Sequence, residues 1–265
     1  MKKTLAYGRT ILGAVLVLLT VSGAWASQAL VVGASPVPHA QLLDLVRDDL
    51  HDQGIELRIV EFTDYVKPNL ALQEGELDAN FFQHLPYLKS FVRDHKLDLV
   101  SAGAIHVEPL GLYSKRHARL EDIPQEATIA IPSDSVNGGR ALLLLQARGL
   151  IRLSDSAGLE ATELDVVENP KKIRFKSIEA AQLPRVLQDV DGAVINGNYA
   201  IEAGLKPTED ALVLEGEESP YANIVAVRSG EQNGQAVKAL VAILQSDKVR
   251  RFILESYGGG VVPAF

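Results

Sequence analysis

The chain has 265 residues, 47% of them apolar, with a formal net charge of −8 and no cysteine. That length and apolar content suffice for a sizeable core, as one large domain or two smaller ones. The lack of cysteine excludes disulfides, thiolate metal sites and cysteine nucleophiles. The acidic balance, with no Lys/Arg stripe interleaved with aromatics, argues against a nucleic-acid partner.

Residues 1–26 read as an export signal. Lys2, Lys3 and Arg9 make a basic front, Ile11 to Val21 an apolar centre, and Ala24-Trp25-Ala26 a small-x-small cleavage site. The apolar run is too short to span a bilayer as a helix. Cleavage there removes three cations and no acid, making the mature chain more acidic still.

Beyond the signal, short apolar runs alternate with helical patterns. A buried strand over 29–34 leads to a helix over 39–53 that Gly54 closes. A period-two strand over 57–62 follows, then a short helix capped by Asp64 and broken at Gly75. The strand 77–82 and a helix from Pro86 to His95 come next, then strands over 97–107 and 111–114. A second cycle has a strand at 128–131, a helix over 138–148, and strands at 164–167 and 173–176. A helix with Pro184 in its first turn runs through Val186. Then come a strand at 192–195, a short helix around Tyr199, strands at 211–214 and 224–227, and a last helix over 234–244. Gly258-Gly259-Gly260 reads as a flexible tail. This alternation predicts parallel-rich α/β sheets in two lobes, divided discontinuously because no linker or repeat separates them.

The richest stretch is 62–91, which holds Tyr65, Phe81, Phe82, His84, Tyr87 and Phe91 although aromatics are only 6% of the chain. Asp64, Pro68, Asn69, Asn80, Gln83 and Pro86 lie among them. Rings mixed with a few fixed polar groups suit either a small-molecule pocket or a satellite core cluster. Elsewhere, Ser135-Val136-Asn137-Gly138-Gly139-Arg140 opens an apolar helix whose free N–H groups and dipole favour an anion. Arg140 there offers a planar fork for a carboxylate, or is a solvated surface residue. Asn137, Asn196 and Asn223 sit at the mouths of elements, where an amide can both accept from an ammonium and donate to a carboxylate. Asn198 reads as turn chemistry.

Rival chemistries find little support. Ser35 lacks the glycine that a G-x-S-x-G elbow needs, and no H-E-x-x-H, phosphate-loop or dinucleotide fingerprint occurs. No catalytic residue is assigned and no enzyme is expected. The histidines at 39, 51, 84, 95, 106 and 117 show no short ligand spacing, so no metal site or cofactor is assigned.

The order Asp64-Tyr65-Val66, Pro68-Asn69, Ala71-Leu72, Gly75, Asp78-Ala79-Asn80, Phe82-Gln83-His84, Pro86-Tyr87-Leu88 resembles the NlpA lipoprotein family. The likeness continues through SVNGGRALLLLQARGLI (135–151), DVVENPKKI (165–173), AAQLPRVL (180–187), AVINGNYA (193–200) and ESPYANIVAVR (218–228). The resemblance implies a two-lobed type II periplasmic-binding-protein fold with a ligand cleft between the lobes. Lobe one would comprise 27–112 plus 225–265, and lobe two 113–224. It implies a periplasmic receptor that delivers methionine, the L form with the D form as a further candidate, to an ABC transporter permease with its ATPase. Another small apolar amino acid, a dipeptide or a metal is the alternative cargo. By the same resemblance Tyr65, Phe82, His84 and Tyr87 wall the thioether, Arg140 takes the carboxylate, and Asn137, Asn196 and Asn223 complete the contacts. Two features depart from the family. Its strand-to-helix loop reads about PNDPTN, where this chain has Pro132-Ser133-Asp134-Ser135-Val136-Asn137. Its usual lipidated cysteine is Ser27 here, so the expected product is a monomer free in the periplasm. On export from a Gram-negative host, intact mass and N-terminal sequencing should find Ser27 as the first residue; a retained Met1 would refute the cleavage site.

Overall fold

The computed structural model describes residues 28–216 and 219–265. The export signal and the Glu217/Glu218 pair lie outside the described residues. In chain order the strands are β1 (Gln28–Ala34), β2 (Ile55–Glu61), β3 (Ala79–His84), β4 (Leu99–Val107), β5 (Gly111–Tyr113), β6 (Thr128–Pro132), β7 (Arg152–Leu153), β8 (Val166–Glu168), β9 (Arg174–Ile178), β10 (Gly192–Ile195), β11 (Ala211–Leu214), β12 (Ala222–Arg228) and β13 (Val262–Pro263). The helices are α1 (Gln41–Leu45), α2 (Arg47–His51), α3 (Lys67–Glu74), α4 (Leu85–His95), α5 (Ser135–Ala147), α6 (Leu183–Val186), α7 (Gly197–Glu202), α8 (Pro207–Asp210), α9 (Gln235–Leu244) and α10 (Asp247–Ser256).

Two sheets organise these elements, ordered β13-β4-β12-β3-β1-β2 and β11-β5-β10-β6-β9. Each is mixed. β1 runs parallel to β2 and β3, whereas β12 returns antiparallel between β3 and β4. In the second sheet β6 is parallel to β9 and β10, and β5 is antiparallel to β10 and β11. The antiparallel halves are built by the strands that flank the two crossings between sheets. Those crossings fall between Val107 and Gly111 and between Leu214 and Ala222. They differ from the sequence-based positions at Tyr113 and Ile224. β5 already starts at Gly111, and β12 already includes Ala222 and Asn223.

Period-two alternation gives each sheet two faces to bury. In β1, Leu30, Val32 and Ala34 join the cluster under α1, α2, α9 and α10, while Val31 faces the cluster with Leu72 and Leu88. In β6, Ile129 and Ile131 pack with Leu142 and Leu145 of α5, while Ala130 faces Leu183 and Leu187. Each lobe is thus an α/β/α layer with its own core, and each fully buried Leu or Ile contributes about 1.5–3 kcal/mol.

Three sequence readings change. The helix over 39–53 breaks at Val46 (φ −102°, ψ 4°). The chain after Leu244 holds a further helix, α10, whose apolar stripe is narrow, with Val249 and Ile253 buried one turn apart among charges. The glycines beyond it are no loose tail. Gly258 and Gly259 turn at φ 51° and 86°, Val261 is fully buried, and β13 pairs with β4.

The Gly138-Gly139 pair has a packing cause. A Cβ on Gly139 would lie 2.7 Å from the Ala161 nitrogen and 3.0 Å from Glu160 Cα, backbone that has no rotamer escape. Gly139→Ala should therefore destabilise by about 1–3 kcal/mol, read by urea unfolding; an unchanged midpoint would refute this packing.

Candidate functional site

Carboxyl ends of parallel strands from both sheets face the gap between the lobes, the edge at which open α/β sheets bind ligands. β3 ends at His84, β10 is followed by Asn196, and β6 leads to the cap of α5. Register sets the neighbours: Asn223 of β12 lies opposite His84 on one side and His106 on the other.

These ends close round a slot. Tyr65, Phe82, His84, Tyr87, Asn137, Arg140, Asn196 and Asn223 all line it, so the eight residues singled out in the sequence converge. Gln83, Glu108, Gly197 and Asn198 complete the wall. The slot is narrow, and its empty volume, counted with the part open to solvent, is about 320 Å³.

One wall is aromatic. Tyr65 lies 5.9 Å from Phe82 and 5.8 Å from Tyr87, centroid to centroid, and Phe82 meets Tyr87 edge-on. Phe81 points into the core beneath β3, as alternation along the strand requires. The polar residues among these rings have a second task. Asn69, Asn80 and Gln83 form a buried amide triad: Asn69 Nδ2 donates to Gln83 Oε1 (2.9 Å), Gln83 Nε2 to Asn69 Oδ1 (2.6 Å), and Asn80 Nδ2 to Asn69 Oδ1 (2.9 Å). The triad pins α3 to β3. Asn69 and Asn80 are therefore scaffold and do not line the slot.

His84 joins these rings to the polar part of the lining. The Tyr87 N–H donates to His84 Nδ1 (3.1 Å), so His84 carries its proton on Nε2 and donates to Asn137 Oδ1 (3.1 Å). Burial, then the Arg140 charge, lowers the His84 pKa to about 3, leaving a neutral ring. Asn137 Oδ1 also accepts from Asn196 Nδ2 (2.9 Å), and Asn137 Nδ2 donates to Asp134. The Asn137 amide is thereby fully used within the protein. Asn196 Oδ1 and Asn198 Nδ2 are buried and lack partners among the described residues.

The helix start differs from its sequence reading. α5 begins at Ser135, and Asp134 caps it by accepting from the Asn137 N–H (2.8 Å). The first-turn N–H groups are thus met by a protein carboxylate. Arg140 is buried, as a carboxylate-binding role needs, yet its fork is already in use. Nε donates to Glu215 Oε1 (3.0 Å), Nη2 donates to Glu215 Oε2 and to the Glu108 carbonyl (2.9 Å), and the guanidinium carbon sits 4.2 Å from the Tyr221 ring centre. Only Nη1 lacks a hydrogen bond among the described residues.

Sequence reasoning missed Glu108, Glu215, Tyr221 and Asn198. The first three lie far from Arg140 in the chain, and no short spacing links them. Asn198 is corrected from turn residue to wall residue: it is 2% exposed, and its Oδ1 accepts from the Tyr65 hydroxyl (2.5 Å). Its place one residue beyond Gly197 on the same strand-to-helix turn as Asn196 was the available signal. The histidine spacing also misled. His106 Nε2 lies 2.7 Å and His39 Nε2 3.3 Å from the same Glu108 oxygen, and His39 Nε2 is 3.1 Å from Asn223 Oδ1. Two neutral imidazole N–H groups sharing one carboxylate oxygen account for this cluster.

A family model described as NlpA lipoprotein matches residues 30–265, and the chain belongs to that family. It is 44% identical over 211 residues to the D-methionine-binding lipoprotein MetQ of Escherichia coli strain K12, covering 79% of this chain and 78% of that protein. A nutrient binding protein from Burkholderia cenocepacia bound to methionine superposes with a TM-score of 0.87 at 47% identity, over 89% of this chain and 100% of that one. An ABC transporter periplasmic substrate-binding protein from Coxiella burnetii gives 0.85 at 45% identity, with 89% and 100% covered. The two-lobed binding-protein fold implied by the resemblance is the fold of this chain.

The buried histidines set an acid limit. Burial lowers His39 to about 4 and His84 and His106 to about 3, against 6.5 in an unfolded chain. The unfolded state binds more protons between those values, so stability is full above pH 6.5 and is lost as pH falls through the window. Burial raises Glu108 and Asp134, which partly opposes this loss. Urea unfolding should show stability declining below about pH 6.5, and His106→Gln should flatten the slope by at most about 1.4 kcal/mol per pH unit. An unchanged slope would refute the neutral, buried His106.

Proposed function

We propose that this chain is a non-enzymatic periplasmic receptor that captures methionine and hands it to the permease of an ABC importer. The observation that carries this reading is one slot lined by aromatic rings and by a polar part that holds Arg140 and two unpartnered amide atoms. A free amino acid needs three kinds of partner, and each has a candidate. Arg140 Nη1 and Asn198 Nδ2 donate to the carboxylate. Asn196 Oδ1 accepts from the ammonium, with Asn223 beside it. Tyr65, Phe82, His84 and Tyr87 surround the side chain, where sulfur against an aromatic edge gains about 0.3–1.5 kcal/mol. Asn137 acts in this reading by orienting His84 and Asn196. The names of the relatives, methionine-binding in two cases, support the cargo.

The narrowness of the slot favours an unbranched chain over a branched one of equal mass, and disfavours a dipeptide. Either enantiomer presents the same three groups. Capture follows a hinge mechanism, in which the ligand stabilises the closed lobes by its preference for them. At about nine heavy atoms, methionine has an affinity ceiling near −13 kcal/mol, roughly nanomolar.

The proposed working form is a monomer exported to the periplasm. Among the described residues no helix is long and apolar enough to cross a membrane. The 265 residues contain no cysteine to carry a thioether-linked lipid.

Native mass spectrometry of freshly purified protein should show a bound mass equal to methionine. By calorimetry, Arg140→Ala should weaken binding by about 3–5 kcal/mol, because its buried partners lose their counter-charge. A loss under about threefold would remove Arg140 from the site. Phe82→Ala should weaken methionine far more than glycine; equal losses would make Phe82 structural only.

A further inference from the structure

The charges around the slot do not balance in the way a simple carboxylate receptor requires. Among the described residues that line it, Arg140 is the only cation, since His84 is neutral. Its Nε/Nη2 edge is gripped at two points by Glu215, whose side chain is 17% exposed against 3% for Arg140. Tyr221 covers one face of the guanidinium, and the Glu108 carbonyl takes another of its protons. A second acid, Glu108, lines the slot, and its nearest side-chain partners are the neutral rings of His39 and His106.

We propose that Glu215 is a selectivity residue: by neutralising Arg140 from behind, it restricts the slot to ligands that bring their own positive charge. This rests on the amino-acid reading above and deepens it. A zwitterion adds a carboxylate at Nη1 together with an ammonium, so the enclosed charge is unchanged on binding. An anion of the same shape adds a negative charge that nothing offsets, in a site with little water to screen it. Whatever the protonation of Glu108, replacing Glu215 by a neutral isostere raises the local charge by one unit. Arg140 then becomes a free cation for any carboxylate. Glu215 does not itself line the slot and acts through Arg140, as a positioning residue.

The test compares methionine with 4-(methylthio)butanoate, the same skeleton without the amino group, by calorimetry on the full chain. The wild type should prefer methionine by about a hundredfold or more. Glu215→Gln should narrow that ratio by at least about tenfold, through tighter binding of the anion. Glu215→Asp, which keeps the charge, should hold the ratio while weakening both ligands. If Glu215→Gln weakens both by one common factor, Glu215 is structural and the proposal is overturned. Should the Gln variant melt well below the wild type, the Asp variant decides: a collapsed ratio there overturns the proposal, and a preserved one supports it. Wild-type protein that binds neither compound refutes the amino-acid reading itself, and a ratio near unity in the wild type overturns selectivity alone.

Discussion

A buried guanidinium is the constraint around which the cleft is built. Arg140 sits on α5 in the second lobe, yet every partner that neutralises or covers it comes from the two segments joining the lobes. The Glu108 carbonyl lies on the crossing after β4, and Glu215 and Tyr221 lie on the crossing before β12. Breaking a buried pair costs about 3–5 kcal/mol, a large share of a domain's stability, so the meeting of the crossings at Arg140 favours the closed arrangement. The cation that lines the slot and the segments that join the lobes are therefore one structure.

The same economy of charge explains the imidazoles. His39, His84 and His106 are each deep enough that ionisation would leave a cation without water, and each is held neutral by burial. Neutral rings can then serve as N–H donors to Asn137 and Glu108 and as flat apolar surface against Phe81 and Tyr221. Closure is shared among contacts of unequal value. His84 to Asn137 is buried and the Tyr65 hydroxyl to Asn198 half-buried, and these hydrogen bonds retain more of their strength than that of the Tyr199 hydroxyl to the carbonyl of exposed Thr63 (3.1 Å). The Arg93–Glu160 pair at the rim, 58% and 38% exposed, is screened by water and contributes little.

What the sequence revealed follows from how local each signal is. Strand and helix existence was legible because it rests on near-neighbour periodicity, and β10, β11 and α4 fall where the pattern puts them. α10 was missed because its apolar stripe, though well aligned, is diluted by charged residues. The eight wall residues were legible through family likeness, but the work each does was not. Asn137 looked like a contact and is fully hydrogen-bonded inside the protein, whereas Asn198 looked like a turn and presents an unpartnered N–H group. Glu215 stood 75 residues from Arg140 with no marker of its own. Pairing across such distances is a property of the closed fold and leaves no periodic trace.

The stiffness of the aromatic wall has a source outside the slot. Phe82 is carried by β3, and β3 is tied to α3 through the Asn69–Asn80–Gln83 triad, in which every amide group meets another at 2.6–3.0 Å. A buried polar network of this kind gains little net stability over an apolar core, but it admits one arrangement, since any slippage leaves an amide unpaired at a cost of about 1–3 kcal/mol. The triad thus resists displacement of Phe82, the part of the wall that β3 carries. Discrimination by shape then follows from the rigidity of the scaffold as much as from the chemistry of the rings, and the polar residues scattered through the aromatic stretch are what provide it.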